Sequence, residues 1–489
     1  MTTPVGFLLV LSASLGGAAH DGVLDIGSRR ELFVDRLLID RLDNASLRLH
    51  HPRREGIALT FDRPWEGPFS AYVTVLKDGP TWRMYYRGRP RSGRDGSPAE
   101  VTCAAESADG ITWTRPELGL FEVAGTRKSN VILAGEPPFG HNFSPLIDTR
   151  PGVPKARRYK AIAGIHKSGL FAFASADGLR WRKMQDGPVL TSKAFAFDSQ
   201  NVAFWSPAEK RYVCYFRTWK RVGRTNWRWI SRATSEDFLR WSEPAEMTFV
   251  DSPPEHLYTN GTQPYFRAPH LYVALAKRFF PGKVALPPDQ AARLVPDRAY
   301  RISSSDAILM TSRGGARFDR TFLSAFLRPG PSPRDWICRD NTPALGLVQA
   351  TDRRMFLYRL SHYAQPTSHV ARYSLRLDGF VSVHAGIRGR RPGSFSGGQM
   401  VTRPLKFTGR ELEINFATGV SGGVRVEIQD AAGKPIDGFA LADCPRFVGD
   451  RIGHVVRWKS GSDVSKLAGE PVRLRFELLD ADLYALRFR

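Results

Sequence analysis

Cysteine is scarce: four residues in 489, at positions 103, 214, 338 and 444, none in the short CxxC spacing of a zinc site. Scattered singly through apolar stretches, they read as small buried hydrophobes, so neither a disulfide framework nor a structural metal is expected to hold the fold. Long apolar runs are missing as well, which excludes a mature membrane-spanning helix. Acidic residues are too few to balance the basic ones, 48 Asp and Glu against 71 Lys and Arg, leaving a formal charge of +23. An excess of this sign points to an anionic partner, and for an exported protein acidic or sulfated glycans come before nucleic acid. The basic residues are spread through every segment and form no nucleic-acid-binding arm, so plain solvated surface is the competing reading.

What the chain does have is a repeat. Ser107-Ala108-Asp109-Gly110-Ile111-Thr112-Trp113 returns as Ser175-Ala176-Asp177-Gly178-Leu179-Arg180-Trp181 and as Ser235-Glu236-Asp237-Phe238-Leu239-Arg240-Trp241. A degraded copy runs from Ser312 to Phe318, and a shortened one is Leu377-Asp378-Gly379-Phe380. The closing aromatics lie 68, 60, 77 and 62 residues apart, a period that marks one repeated supersecondary unit. Each copy couples a strand to a turn that tolerates positive φ and then to an aromatic able to pin one sheet onto the next. Strand-like segments upstream of each turn complete four-stranded blades, and roughly five of them fit the stretch. The expected fold is all-β: a five-bladed β-propeller followed by a C-terminal β-sandwich. A pair of sandwiches with chance Asp-Gly turns is the alternative.

The expected divisions are a signal peptide over 1–19, an N-terminal extension over 20–61, the propeller over 62–391 and the sandwich over 397–489. The apolar stretch from Gly6 to Leu11, followed by Gly16-Gly17-Ala18-Ala19, carries the signal-peptide reading and with it a secreted or periplasmic location. A Gly/Arg/Pro linker near residues 386–394 marks the later boundary. Beyond it, segments such as Val424-Arg425-Val426-Glu427-Ile428 alternate with the period of half-buried antiparallel strands. A Pro-rich insertion over 281–300 interrupts the fourth blade, and insertions of that length often border binding sites.

A propeller with Ser-x-Asp-Gly-x-x-Trp turns followed by a sandwich resembles the clan of glycoside hydrolases that includes families 32, 43 and 68. The resemblance implies a carbohydrate-active protein without a cofactor, whose carboxylates project into the central funnel from different blades. In such chemistry one carboxylic acid protonates the leaving oxygen while another attacks the anomeric carbon or activates water. Matched residue by residue, the pattern is incomplete. Ser70 stands where the first-blade acid belongs, and His141-Asn142-Phe143-Ser144-Pro145 fills the second-blade position. Glu66, Asp198, Glu255 and Asp340 are the remaining catalytic candidates. Candidate substrate-binding groups are Trp65 and Tyr258 for stacking, Asn142, Asn201, Asn260 and Asn341 for hydrogen bonding, and Arg217, Arg267 and Arg339 for clamping a carboxylate or sulfate. His141, His256 and His362 are candidate acid-base groups. Two functions follow: an exported glycoside hydrolase acting on a poly- or oligosaccharide, or a non-catalytic carbohydrate-binding propeller. Sialidases offer a weaker comparison, because their aspartate boxes carry one more residue between Asp and Gly.

Overall fold

The computed structural model describes residues 22–250, 252–337, 339–389 and 396–489; the proposed signal peptide and much of the proposed linker lie outside them. Five sheets follow one another along the chain as blades, antiparallel except where Thr248–Val250 pairs in parallel with Arg317–Asp319 at the edge of the fourth. Their innermost strands are Ala71–Asp78, Ser144–Ile147, Val202–Ser206, Thr262–Tyr265 and, in the fifth blade, the pair Thr342–Pro343 and Val348–Gln349. The fifth blade borrows its outer strand, Arg53–Thr60, from near the start of the chain, where it pairs with His369–Arg376. First and last parts of the ring are thereby joined by backbone hydrogen bonds, which leaves that sheet edge covered.

The remaining sheet is the C-terminal sandwich, built on the long strands Leu412–Asp430 and Val472–Phe488. Residues 20–61, read from sequence as one extension, divide between the two domains over their described part, from residue 22 on. Leu24–Gly27, Glu31–Leu32, Ile39–Asp43 and Ser46–Leu49 all join this sheet, and only Arg53–Thr60 belongs to the propeller. Apolar residues of the alternating strands, among them Ile414, Phe416, Val426, Leu474 and Phe476, are fully buried in one core. Burial of Cys103, Cys214 and Cys444 as free thiols among such side chains pushes their ionisation up.

The repeated motif has one geometry in its three good copies. It closes the third strand of the blade, where the serine Oγ accepts from the backbone N–H three residues on, at 2.9 Å for Gly110 and 2.8 Å for Gly178 and Phe238. The aspartate Oδ1 accepts two further N–H groups, and the tryptophan Nε1 donates to the carbonyl of the Gly or Phe position. That carbonyl also ties blades together: Tyr358 OH donates to Gly110 O at 2.6 Å, and Tyr85 OH to Gly178 O at 3.0 Å. A Cβ at Gly110 would stand 2.9 Å from Tyr358 OH, and one at Gly178 2.7 Å from Tyr85 OH, so the neighbouring blade requires glycine there. Phe238 holds the same positive φ of 72°, but its ring packs on Tyr212 and is tolerated. In the fifth copy the turn is kept and the acid is redeployed, since Asp378 bonds Tyr265, Arg267 and Asn415 between the two domains.

The inner strands give the propeller two unlike ends. Their C-terminal ends surround an apolar cavity of ≈ 620 Å³ lined by groups such as Leu146, Phe204, Pro264 and Leu347. Their N-terminal ends surround a polar, aromatic mouth.

Candidate functional site

The mouth is built where each inner strand begins and the second strand of the same blade ends. Antiparallel register sets this: Ala71 pairs with Arg87, Val202 with Tyr215 just before Arg217, Thr262 with Ala274 just before Lys277, and Thr342 with Leu360. Cations on the second strands of the first, third and fourth blades are thus carried to one place. Tyr72, Arg87, Asp95, Tyr258, Lys277 and Arg339 line the cavity. The fourth-blade insertion closes one side: its helix Pro288–Leu294 buries Ala291 in the neighbouring core, and Tyr300 packs on Phe69 and Tyr363 with ring centroids 5.1 and 5.9 Å apart.

Tyr258 is the hub. Arg217, Arg228 and Arg339 hold their guanidinium carbons 5.2, 5.5 and 5.8 Å from its ring centroid, and Lys277 Nζ is 5.2 Å away. Asp198 pairs with Arg217, whose side chain is 2% exposed, and its charge reaches Tyr72 and Arg228. Across the mouth Arg87 lies 4.8 Å over the Tyr72 ring. Tyr72 has a positive φ of 54°, and burial pushes its phenol well above the ordinary range.

Asp95, Glu100 and His141 form a donor cluster beside Arg87, with ligand atoms within 4.8 Å of one another. Protein cations already occupy it. Arg89 Nη1 contacts Asp95 at 3.0 Å and Glu100 at 2.7 Å, and Arg87 lies 3.1 Å from His141 Nδ1. Burial works to raise both carboxyls, but His141 and the two arginines outweigh it and hold them below the usual carboxylate range. An ionised pair already neutralised by guanidinium groups is a poor host for a metal ion.

Several residues singled out from sequence serve the scaffold. Glu66 is completely buried, taking Arg115 at 2.8 and 2.9 Å, Tyr86 OH at 2.5 Å and the Arg63 N–H at 3.2 Å, so no lone pair is left for a substrate. Trp65 is buried and donates to Asn130 rather than facing a sugar. Glu255 bridges Arg278 and Arg320. The four asparagines fasten blade entrances: Asn142 donates to the carbonyls of Gly164, Phe197 and Ser199, Asn201 to Phe197 and Ser199, Asn260 to Tyr215, and Asn341 to Ser305 and Asp335. Arg267 lies in the turn after Tyr265, at the opposite end of its blade, and pairs with Asp378 at 3.0 Å. His256 Nδ1 accepts from the Arg228 N–H at 3.1 Å, and His362 bonds Thr367 and lies 3.4 Å from Asp335.

Asp340 stands apart. Burial pushes its carboxyl up to about 7 against the charges of Arg359 and His362, and Oδ2 has no hydrogen-bond partner. It is sealed from solvent and does not line the mouth. Asp198, Arg217, Tyr258 and Arg339 are the sequence candidates gathered around the mouth, with His141 behind them. Tyr72, Arg87, Asp95, Arg228, Lys277 and Tyr300 were missed, and strand register was the signal that leads to Arg87 and Lys277.

No family model matches the chain, and no curated protein does. Solved structures do resemble it. One described as a glycoside hydrolase is 13% identical over 67% of this chain and 92% of its own, with a TM-score of 0.46. An N-acetylgalactosamine deacetylase from F. plautii, in complex with blood group B trisaccharide, is 14% identical over 68% of this chain and 95% of its own, at a TM-score of 0.42. A fructofuranosidase from Schwanniomyces occidentalis reaches 96% of this chain and 99% of its own at 9% identity and a TM-score of 0.35. These likenesses concern shape alone, and no residue's role is taken from them. No helix among the described residues is long and apolar enough to cross a membrane.

Proposed function

We propose that this chain is an exported glycoside hydrolase-like protein that acts on a glycosidic bond of a poly- or oligosaccharide held at the propeller mouth. The observation that carries this is the meeting of tyrosines 72, 258, 300 and 363 with two accessible carboxylates, Asp95 and Asp198, at one end of the ring. Charged groups and tyrosine hydroxyls gathered in one concave site suit the hydroxyls of a sugar. Asp95, held ionised by His141 and arginines against the effect of burial, fits a base or nucleophile rather than an acid. Asp198 is the partner carboxylate, fixed in place by Arg217.

A non-catalytic carbohydrate-binding role is favoured by one specific observation. Ser70 and Ser144, where acids were expected, are fully buried, and the carboxyl raised to about 7, Asp340, is sealed away. Assaying the purified chain on neutral, uronic and sulfated glycans, with Asp198→Asn and Asp95→Asn beside it, separates the two. Turnover lost in both variants supports the enzyme; binding without turnover supports the second reading. Binding and turnover both absent would contradict the carbohydrate assignment.

A further inference from the structure

The geometry points to an anion subsite: we propose that Arg228, with Arg339 beside it, takes a carboxylate or sulfate substituent of the bound saccharide. This deepens the carbohydrate reading above and names the class of sugar the mouth selects.

Arg217, Arg228 and Arg339 crowd like charges within 6 Å of one tyrosine centroid, and the charges of Arg217 and Arg339 act against that of Arg228. Among the described residues, the carboxylate that acts on Arg228 is Asp198, and that group is already bonded to Arg217. Arg228 is otherwise surrounded by aromatic faces, with Trp219 at 4.7 Å, Phe279 at 4.7 Å and Tyr258 at 5.5 Å. Such faces attract a cation but accept none of its N–H groups. The Nε atoms of Arg217 and Arg228 are both buried without a hydrogen-bond partner. Burial, reinforced by the charges of Arg217 and Arg339, lowers Arg228 to about 10, the direction expected of a cation that lacks its counter-charge. A saccharide carboxylate or sulfate placed here would accept from guanidinium groups in a water-poor concave site, where charge-assisted hydrogen bonds are strongest. Uronic acids and sulfate esters share this chemistry.

The test is titration calorimetry on the full chain, at low and at physiological salt, with two matched pairs: a uronate-bearing oligosaccharide and its neutral counterpart, and a sulfated one and its unsulfated counterpart. Free glucuronate and inorganic sulfate are titrated separately. An anionic member should bind about tenfold tighter than its neutral mate, the preference shrinking as salt rises. Arg228→Gln should abolish that preference while leaving the neutral affinity in place, and Arg228→Lys should restore part of it. Arg339→Gln, in a loop rather than a strand, gives the same readout if Arg228→Gln fails to fold. Equal affinities within both pairs in the wild type overturn the subsite and leave the carbohydrate reading standing. Free anions that bind and are lost in Arg228→Gln, with no oligosaccharide bound, uphold the subsite and overturn the carbohydrate reading. No binding of any probe overturns both.

Discussion

Arginine does two different jobs at two places in this molecule. Between propeller and sandwich, Arg313 reaches Asp35 at 2.8 Å and Glu31 at 2.7 Å, Arg30 lies 2.6 Å from Glu413 and 3.5 Å from Asp378, and Arg267 takes Asp378 at 3.0 Å. Each of these guanidinium groups donates directly to a buried carboxylate. At the mouth Asp198 bonds Arg217 and reaches Arg228 only through its charge. A buried cation with an acid of its own is cement, whereas one left short of an acceptor is an invitation to a ligand. Net charge alone does not separate the two, because +23 sums over both.

Breaking the interface network should have the largest effect. Asp378 is completely buried and answers Arg267, Tyr265 and Asn415, so Asp378→Ala should lower unfolding stability by about 3–5 kcal/mol, measured by denaturant titration. Glu31 gives the same comparison a pH axis. Burial raises its carboxyl, but His270, Arg313 and Arg29 bring it from 4.5 down to about 2. The folded pKa is depressed, so the stabilisation is complete above pH 4.5 and is lost as the pH falls toward 2. Its size is on the order of 3 kcal/mol, and Glu31→Gln should flatten the stability profile across that window. Glu31→Gln with an unchanged acid limb would remove Glu31 from the account.

A smaller effect is expected inside the ring. Asp177 accepts the N–H groups of Leu179 and Arg180 at 2.9 and 2.8 Å, so Asp177→Ala should cost about 1 kcal/mol, read as a modest fall in Tm. Phe238→Gly tests the same turn from the other side. It removes a ring packed on Tyr212, while the backbone conformation it needs becomes easier.

The ring was legible because its repeat is a local device: Ser, Asp and Trp satisfy one another within seven residues, so spacing and turn chemistry suffice to see it. The closure was not, because Arg53–Thr60 pairs with a strand some three hundred residues later and carries no mark of its partner. Among the site residues, Asp198, Arg217 and Arg339 stand beside blade entrances that the repeat locates. Arg267 looked equivalent to them and is not, because a hairpin turn after four inner-strand residues puts it at the far end, while Lys277, farther along the returning strand, comes back to the mouth. Glu66 misled for another reason. Its partner Arg115 lies in the loop after a repeat turn, a contact no local pattern announces.

The sharpest test of the contrast sets Arg228→Gln against Arg267→Gln in one thermal-shift experiment, with and without a saturating anionic oligosaccharide. Arg228→Gln should melt close to the wild type, within about 1 kcal/mol, and show a ligand-induced rise no larger than the neutral counterpart gives. Arg267→Gln should melt lower, because it strips a partner from buried Asp378, yet keep the full rise. The reverse, a destabilised Arg228→Gln that keeps the full wild-type rise beside a stable Arg267→Gln that loses it, would contradict the division of labour between mouth and interface.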